Sequence, residues 1–466
     1  MNKFPILAMA AALSGCSFIP NYERPPAPVP AQWSVEKVGA GATAAMPGDW
    51  RSYFAEPRLQ ALIATALEHN RDLRIALARV EEARAIAGIT RADRLPTVDL
   101  ALQQQAAKVP GDLTASGRET INRRYDGALG VTAFELDFWG RVKSLDTAAQ
   151  ATFLATTYAQ QAFRLSLIAE VASAWYALIE LDTRLALSEA TLKGRAESRA
   201  LVEKRRDVGL ANDLDFLAAD AMYQNVRAET ANLARQRAAA ENALRLLVGD
   251  AVAVPNNKAD PAYAVPPAPT FPAVPEVAVG LPSDVLLNRP DVLAAEQRLI
   301  AANANIGAAR AAFFPKITLT LLAGSASPAL SGLFGSGTGA WSFLPMLKLP
   351  LFDSGRTEAN VDLAEARKVM AVAEYEKTIQ QAFREVADLL AARTHYAEQL
   401  QALELAENAQ TERLKKVEAR HQLGVSSYLE LLDAQRDLFV TQQLLVGSRR
   451  AVAATSASLY KALGGA

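Results

Sequence analysis

The 466-residue chain holds one cysteine, three histidines and only 7% aromatic residues. A single cysteine, Cys16, excludes an internal disulfide framework and any cysteine-built metal site. The histidines, His69, His395 and His421, are scattered over helical segments without ligand-like spacing, so packing or surface roles are expected of them. Charge of one sign is missing as well: 49 Lys and Arg stand against 50 Asp and Glu, which leaves no overall field to attract nucleic acid or an anionic membrane surface. Any partner must be recognised by local features. Beyond the N-terminus no segment reaches the roughly 18 consecutive apolar residues of a spanning helix. If the chain crosses a membrane, it does so with strands. Gly335-Ser336-Gly337-Thr338-Gly339 has the look of a phosphate loop, but a strand follows it instead of a helix, and it reads as an extracellular hairpin tip. No nucleophile, base and orienting acid can be assembled. The expectation is a protein without cofactor that is not an enzyme.

What is present begins at the N-terminus. Residues 1–15 combine one lysine, a short apolar run and small residues, the pattern of a secretory signal peptide. Leu13-Ser14-Gly15-Cys16 resembles the bacterial lipobox, which makes Cys16 the candidate for lipidation, and Ser17 after it is the residue type that goes with export to the outer membrane. Residues 16–57 are rich in proline, alanine and glycine and are expected to be extended. Hydrophobic residues reach 50% and lean on alanine, which suits long, closely packed helices.

The rest of the chain is a tandem duplication. Gly88, Arg91 and Pro96 recur as Gly307, Arg310 and Pro315, each 219 residues later. Gly140-Arg141, Gly209 and Gly249 recur as Gly355-Arg356, Gly424 and Gly464, each 215 later. The first repeat covers residues 58–250 and the second 289–466, with a proline-rich linker at 251–288.

Within each repeat the hydrophobic period switches. From about Pro57 to Asp93 it is helical, and Pro96 stops the helix. Val98, Leu100 and Leu102, then Phe134, Leu136 and Phe138, alternate with polar residues, which predicts a hairpin over about 96–139. Ile317, Leu319, Leu321, Trp341 and Phe343 predict its counterpart over about 315–352. After Gly140-Arg141 the helical pattern runs unbroken to Asp207, and some 65 residues would extend roughly 100 Å. Leu167, Val171, Ala174, Leu178, Leu181 and Leu185 form a coiled-coil seam, and Leu165, Ile168, Ala172, Trp175 and Ile179 form a second beside it. Two seams suit a helix with a neighbour on each side. Gly209 and Gly424 then let the chain reverse.

Four strands cannot close a transmembrane barrel, because barrels begin at about 8 strands and lipid tolerates no open edge. Two, three or four copies would supply about 8, 12 or 16 strands. The alternative is a lipid-anchored periplasmic coiled-coil scaffold without a pore.

Several stretches carry a family resemblance: Gly280-Leu281-Pro282-Ser283-Asp284, Arg289-Pro290-Asp291-Val292-Leu293-Ala294-Ala295-Glu296, Ala308-Ala309-Arg310-Ala311-Ala312-Phe313-Phe314-Pro315, Leu432-Asp433-Ala434-Gln435-Arg436 and the terminal Leu459-Tyr460-Lys461-Ala462-Leu463-Gly464-Gly465. Over nearly its whole length the chain resembles the TolC/OprM-type (NodT-like) outer-membrane efflux lipoproteins of tripartite resistance-nodulation-division pumps. The resemblance implies a mainly α fold with a transmembrane β portion, in which three chains build an α-helical barrel and a 12-stranded β-barrel. Its implied partners are a periplasmic adaptor and an inner-membrane pump, for which the trimer is the passive exit duct. It also implies adaptor-docking tips at Gly209, Leu210, Gly424 and Val425, and a periplasmic gate at Leu429, Asp433 and Arg436, with unlike charges between helices holding it shut. His421 stands where the family usually has tyrosine.

Overall fold

The computed structural model describes residues 17–33, 49–249 and 283–465. The signal peptide, Cys16 and most of the proline-rich linker lie outside the described residues. Helices α1 (Trp50–Tyr53), α2 (Pro57–His69) and α3 (Arg71–Ala92) lead into strands β1 (Asp99–Val109) and β2 (Thr120–Glu135). Then come α4 (Arg141–Asp207) and α5 (Asp213–Val248). The second repeat follows the same order: α6 (Pro290–Ala311), β3 (Lys316–Ser327), β4 (Gly339–Lys348), α7 (Arg356–Gln422) and α8 (Tyr428–Ala462). The long helices α4 and α7 are each 67 residues.

Contacts divide the chain into two compact units that cut across the repeats. One takes the chain up to Pro26, Ala78–Tyr158 and Leu293–Lys377; the other takes Ala27–Leu77, Ala159–Val292 and Thr378 onward. Each unit draws on both repeats, because helices of one pack laterally on helices of the other.

The first unit holds the four strands in a single antiparallel sheet, ordered β1-β2-β3-β4. Leu136 and Phe138 fall just beyond β2, whose pairing ends at Glu135↔Thr318 after a bulge between Val131 and Phe134. Glu135 is not on an open polar face as its alternation suggested. It accepts from Arg141 at 2.7 Å and pairs with Lys316 at 2.9 Å, which ties the end of β2 to the start of α4 and of β3. Below the sheet α4 and α6 meet through alanines, Ala148 and Ala151 against Ala301 and Ala304. The segment after Cys16 is extended as expected and lies along α6. Phe18 stacks on Phe314 at 4.6 Å, Asn303 donates to the Pro20 carbonyl at 2.7 Å, and Arg24 makes a bidentate pair with Glu296.

In the second unit both seams of α4 are buried, Leu167, Val171 and Leu178 on one and Ile168, Ala172 and Trp175 on the other. They pack against Leu59, Ile63, Leu244, Val248, Ala453 and Tyr460. Each large side chain buried there contributes about 1.5–3 kcal/mol. By composition a stretch of α4 is long and apolar enough to cross a bilayer, although it has no unbroken apolar run of that length. The core contacts of Leu167, Val171 and Trp175 account for that hydrophobicity.

The single helix expected from Pro57 to Asp93 is two, broken at Asn70. The Asn70 carboxamide is the reason: its oxygen accepts from the Leu73 amide at 2.8 Å, capping α3, while its nitrogen donates to the Leu247 carbonyl at the end of α5, also at 2.8 Å. Gly249, at φ +74°, ends α5 against this break, and a Cβ there would come within 2.4 Å of the His69 carbonyl oxygen. The second repeat builds the same joint with different chemistry. At the position matching Asn70, Arg289 donates to the Ala462 carbonyl at 2.6 Å, the counterpart of Leu247. Its guanidinium is almost wholly buried and is held by Asp291 and Glu385, each at 2.8 Å. Burial pulls the Arg289 pKa down, but the two carboxylates outweigh it and the net direction is up, so the joint stays charged. Replacing Asn70 removes a cap and an inter-helix hydrogen bond together. Asn70→Ala is expected to lower unfolding stability by about 1–2 kcal/mol, read from the denaturant midpoint by circular dichroism. An unchanged midpoint would show that the break does not depend on this side chain.

Candidate functional site

Two regions can form a channel: the sheet as a wall and the helical hairpin ends as an entrance. Register decides the faces of the sheet. Leu100 lies opposite Leu129, Leu129 opposite Ala323, and Ala323 opposite Trp341. Val131, Leu321 and Phe343 form the next row. Most of these apolar side chains are exposed, with Leu100 at 69% and Trp341 at 78%. The other face carries Ala101, Gln103 and Gln105 on β1, Arg124 and Asp126 on β2, and Gly324 and Ser342 beyond them. Leu322, Leu344 and Met346 are its apolar exceptions. One face therefore suits hydrocarbon and the other water. Among the described residues β1 and β4 each have only one neighbouring strand. The Gly335–Gly339 stretch lies in the β3–β4 connection, where the Thr338 hydroxyl donates to the Gly335 carbonyl at 2.8 Å.

The two helical hairpins of the second unit end in matching turns. Gly209 and Gly424 have φ of +76° and +74°, and nothing lies within 4 Å of where a Cβ would be, so the backbone angle and not crowding calls for glycine. Leu210 donates its amide to the Arg205 carbonyl at 2.7 Å, and Val425 donates to Arg420 at 2.9 Å, the Schellman pattern in both. Asn212 and Ser427, 215 residues apart, cap the returning helices through the amides of Asp215 and Glu430. Leu210 and Val425 are both exposed, 72% and 66%, so each tip presents an apolar residue to solvent.

Just inside the second tip, Leu429, Asp433 and Arg436 share one face of α8. Leu429 is exposed, and Arg436 reaches Asp433 at 3.1 Å within the same helix. Near these residues an ion pair from α8 to α7 is made by a residue the sequence did not single out. Asp437 takes Arg413 of α7 at 2.7 Å and also Arg436 at 3.2 Å. The hydrogen bond from Arg413, followed by that from Arg436, holds the Asp437 carboxyl below the ordinary aspartate range. The link is then fully present above the ordinary aspartate pKa and is lost only as pH falls through the lowered value. Toward α4, Gln435 accepts from the buried Arg195 at 2.6 Å, and Tyr428 shares a 2.7 Å hydrogen bond with Ser198. These partners are separated by 230 to 240 residues and no local pattern marks them. His421 places its Nδ1 3.1 Å from the Ser426 carbonyl, with its ring 5.9 Å from that of Tyr428. Among the described residues no group of three His, Cys, Asp or Glu side chains could hold a metal ion.

The sequence profile of the outer membrane efflux proteins matches this chain twice, over residues 62–250 and 281–465. The chain is 43% identical to the solvent efflux pump outer membrane protein SrpC of Pseudomonas putida, over 99% of this chain and 98% of that one. The crystal structure of a membrane protein from Pseudomonas aeruginosa superposes with a TM-score of 0.86 at 42% identity, covering 96% of this chain and all of the other (100%). The open state of the Neisseria gonorrhoeae MtrE outer membrane channel superposes with a TM-score of 0.84 at 36% identity, covering 96% and 98% of the two chains.

Proposed function

From the premise that the chain belongs to the outer membrane efflux protein family, and is the outer-membrane channel of a tripartite resistance-nodulation-division efflux system, we propose how its own residues anchor, dock and close that channel. The observation that carries the reading is the sheet, with one apolar face, one polar face and two strand edges left for other copies to pair. Three chains supply 12 strands, and a closed barrel removes every edge from lipid. A scaffold without a pore would have no use for an exposed apolar sheet face.

The anchor is lipid on Cys16. Leu13-Ser14-Gly15-Cys16 motivates this, and the next residues support it, since Phe18 stacks on Phe314, which in turn stacks on Trp139, beside the start of β3. A lipidated cysteine there would lie near the membrane end of the helices. Each buried CH₂ of its acyl chains adds about 0.8 kcal/mol of attachment. Intact-mass measurement of membrane-extracted protein is expected to show a cleaved chain beginning at an acylated Cys16, and an unmodified cysteine in that protein would refute the anchor.

Docking to the periplasmic adaptor occurs at Gly209-Leu210 and Gly424-Val425, supported by the paired exposed apolar residues on otherwise closed turns. Leu210→Trp with Val425→Trp is expected to reduce crosslinking to the adaptor while trimers still form. Crosslinking at the wild-type level would place the contact elsewhere.

The gate is formed by Leu429, Asp433 and Arg436, repeated by three copies as an apolar ring, an acidic ring and a guanidinium ring. Arg413 braces it from the neighbouring helix α7 through Asp437. Because the Asp433–Arg436 pair is exposed, within one chain it is worth well under about 1 kcal/mol. Its contribution to closure must come from the convergence of copies. Asp433→Ala combined with Arg436→Ala is expected to raise single-channel conductance in planar bilayers and to sensitise cells to vancomycin. Assembled trimers that conduct no better than wild type, in cells no more sensitive, would remove these residues from the gate.

A further inference from the structure

The duplication exposes a difference directly below the sheet. In the second repeat Arg310 of α6 is neutralised by Glu365 of α7 at 2.8 Å. The matching residues of the first repeat, 219 and 215 positions earlier, are Arg91 of α3 and Gln150 of α4. Glutamine thus stands where the acid would be, and among the described residues no carboxylate pairs with Arg91. Both residues line a groove of about 350 Å³ between α3, α4 and α6, together with Arg94, Thr147 and Gln297. That volume falls at the small end of ligand sites, which run to about 300–1,000 Å³. One acid reaches the groove, Asp146, and it is taken by Arg94 at 2.9 Å. The groove therefore keeps one guanidinium in excess, flanked by two carboxamides.

Its surroundings identify the ligand. Following Arg94, the chain exposes Leu95, Val98, Leu100 and Leu102, each at least 66%, and leads straight onto the apolar face of β1. The groove also shares Ala151 and Ile300 with the cluster that seats Ile19, so it lies beside the segment that follows Cys16. A cationic cleft at the foot of an apolar stripe matches an amphiphile with an anionic head.

We propose that this groove binds the phosphodiester headgroup of an anionic phospholipid of the inner leaflet, the phosphate oxygens accepting from Arg91 and Arg94 and one acyl chain lying along Leu95, Val98 and Leu100. The first repeat has kept an open cation where the second has closed it with Glu365. The site rests on the outer-membrane placement of the sheet and not on lipidation of Cys16, so the two stand or fall separately.

Native mass spectrometry of the full-length trimer in detergent, titrated with phosphatidylglycerol or phosphatidylethanolamine, tests this. Up to three phosphatidylglycerol molecules per trimer are expected to be retained in preference to phosphatidylethanolamine. Gln150→Glu, which installs the second repeat's pair, and Arg91→Gln are each expected to weaken retention by about tenfold, the effect of one charged hydrogen bond. The intact trimer mass, read in the same spectra, is required of both variants. Equal retention by wild type and both variants, or equal retention of the two lipids, would overturn the proposal. Displacement of phosphatidylglycerol by an equal concentration of inorganic phosphate would assign the groove to free phosphate and overturn the lipid assignment.

Discussion

Inside hydrocarbon a backbone amide or carbonyl without a partner costs several kcal/mol, and that cost governs this protein. The sheet has two edge strands, β1 and β4, and one exposed apolar face. Among the described residues no further strand is left to finish either edge. Closure by other copies is therefore not an accessory to function but the condition for placing the strands in a membrane at all. The water-side face of Ala101, Gln103, Arg124, Asp126 and Gly324 then becomes the lining of whatever the closed barrel encloses.

Duplication supplies the parts, and divergence between the copies supplies the specialisation. The joints where one helix stacks on the next occupy matching positions, yet Asn70 makes the first with a neutral amide and Arg289 makes the second with a buried guanidinium and two acids. Retaining a charge in the second joint is costly unless every hydrogen bond is made. It fixes α6, α7 and the end of α8 to one point. The hairpin turns diverge less, since both need a left-handed glycine and a side-chain cap. Below the sheet, Gln150 in place of Glu365 is a difference of one functional group that leaves Arg91 without the carboxylate that neutralises Arg310.

Around the candidate gate, Asp437 joins α8 to Arg413 of α7, and Gln435 and Tyr428 join it to Arg195 and Ser198 of α4, with Arg450 pairing with Glu180 of α4 farther along at 3.5 Å. Burial lowers the pKa of Arg195, and Gln435 gives it no compensating charge.

The sequence by itself determined the order of elements, the duplication, the two seams of α4 and the apolar alternation of the strands. Each of these is a periodicity within a few dozen residues, and periodicity is what side-chain geometry writes into a sequence. The tip glycines were legible through their recurrence 215 residues apart. Only the tertiary structure decided that the Pro57–Asp93 stretch breaks at Asn70, that Glu135 is an anchor for Arg141 and Lys316, and that Asp437 bridges α8 to α7. It also decided that the compact units run across the repeats. Those outcomes depend on which residue of a distant helix arrives at hydrogen-bonding distance, as when Asn70 meets Leu247 or Arg195 meets Gln435. A carboxamide or carboxylate looks the same along the chain whether it faces water or a guanidinium, and only packing chooses between them.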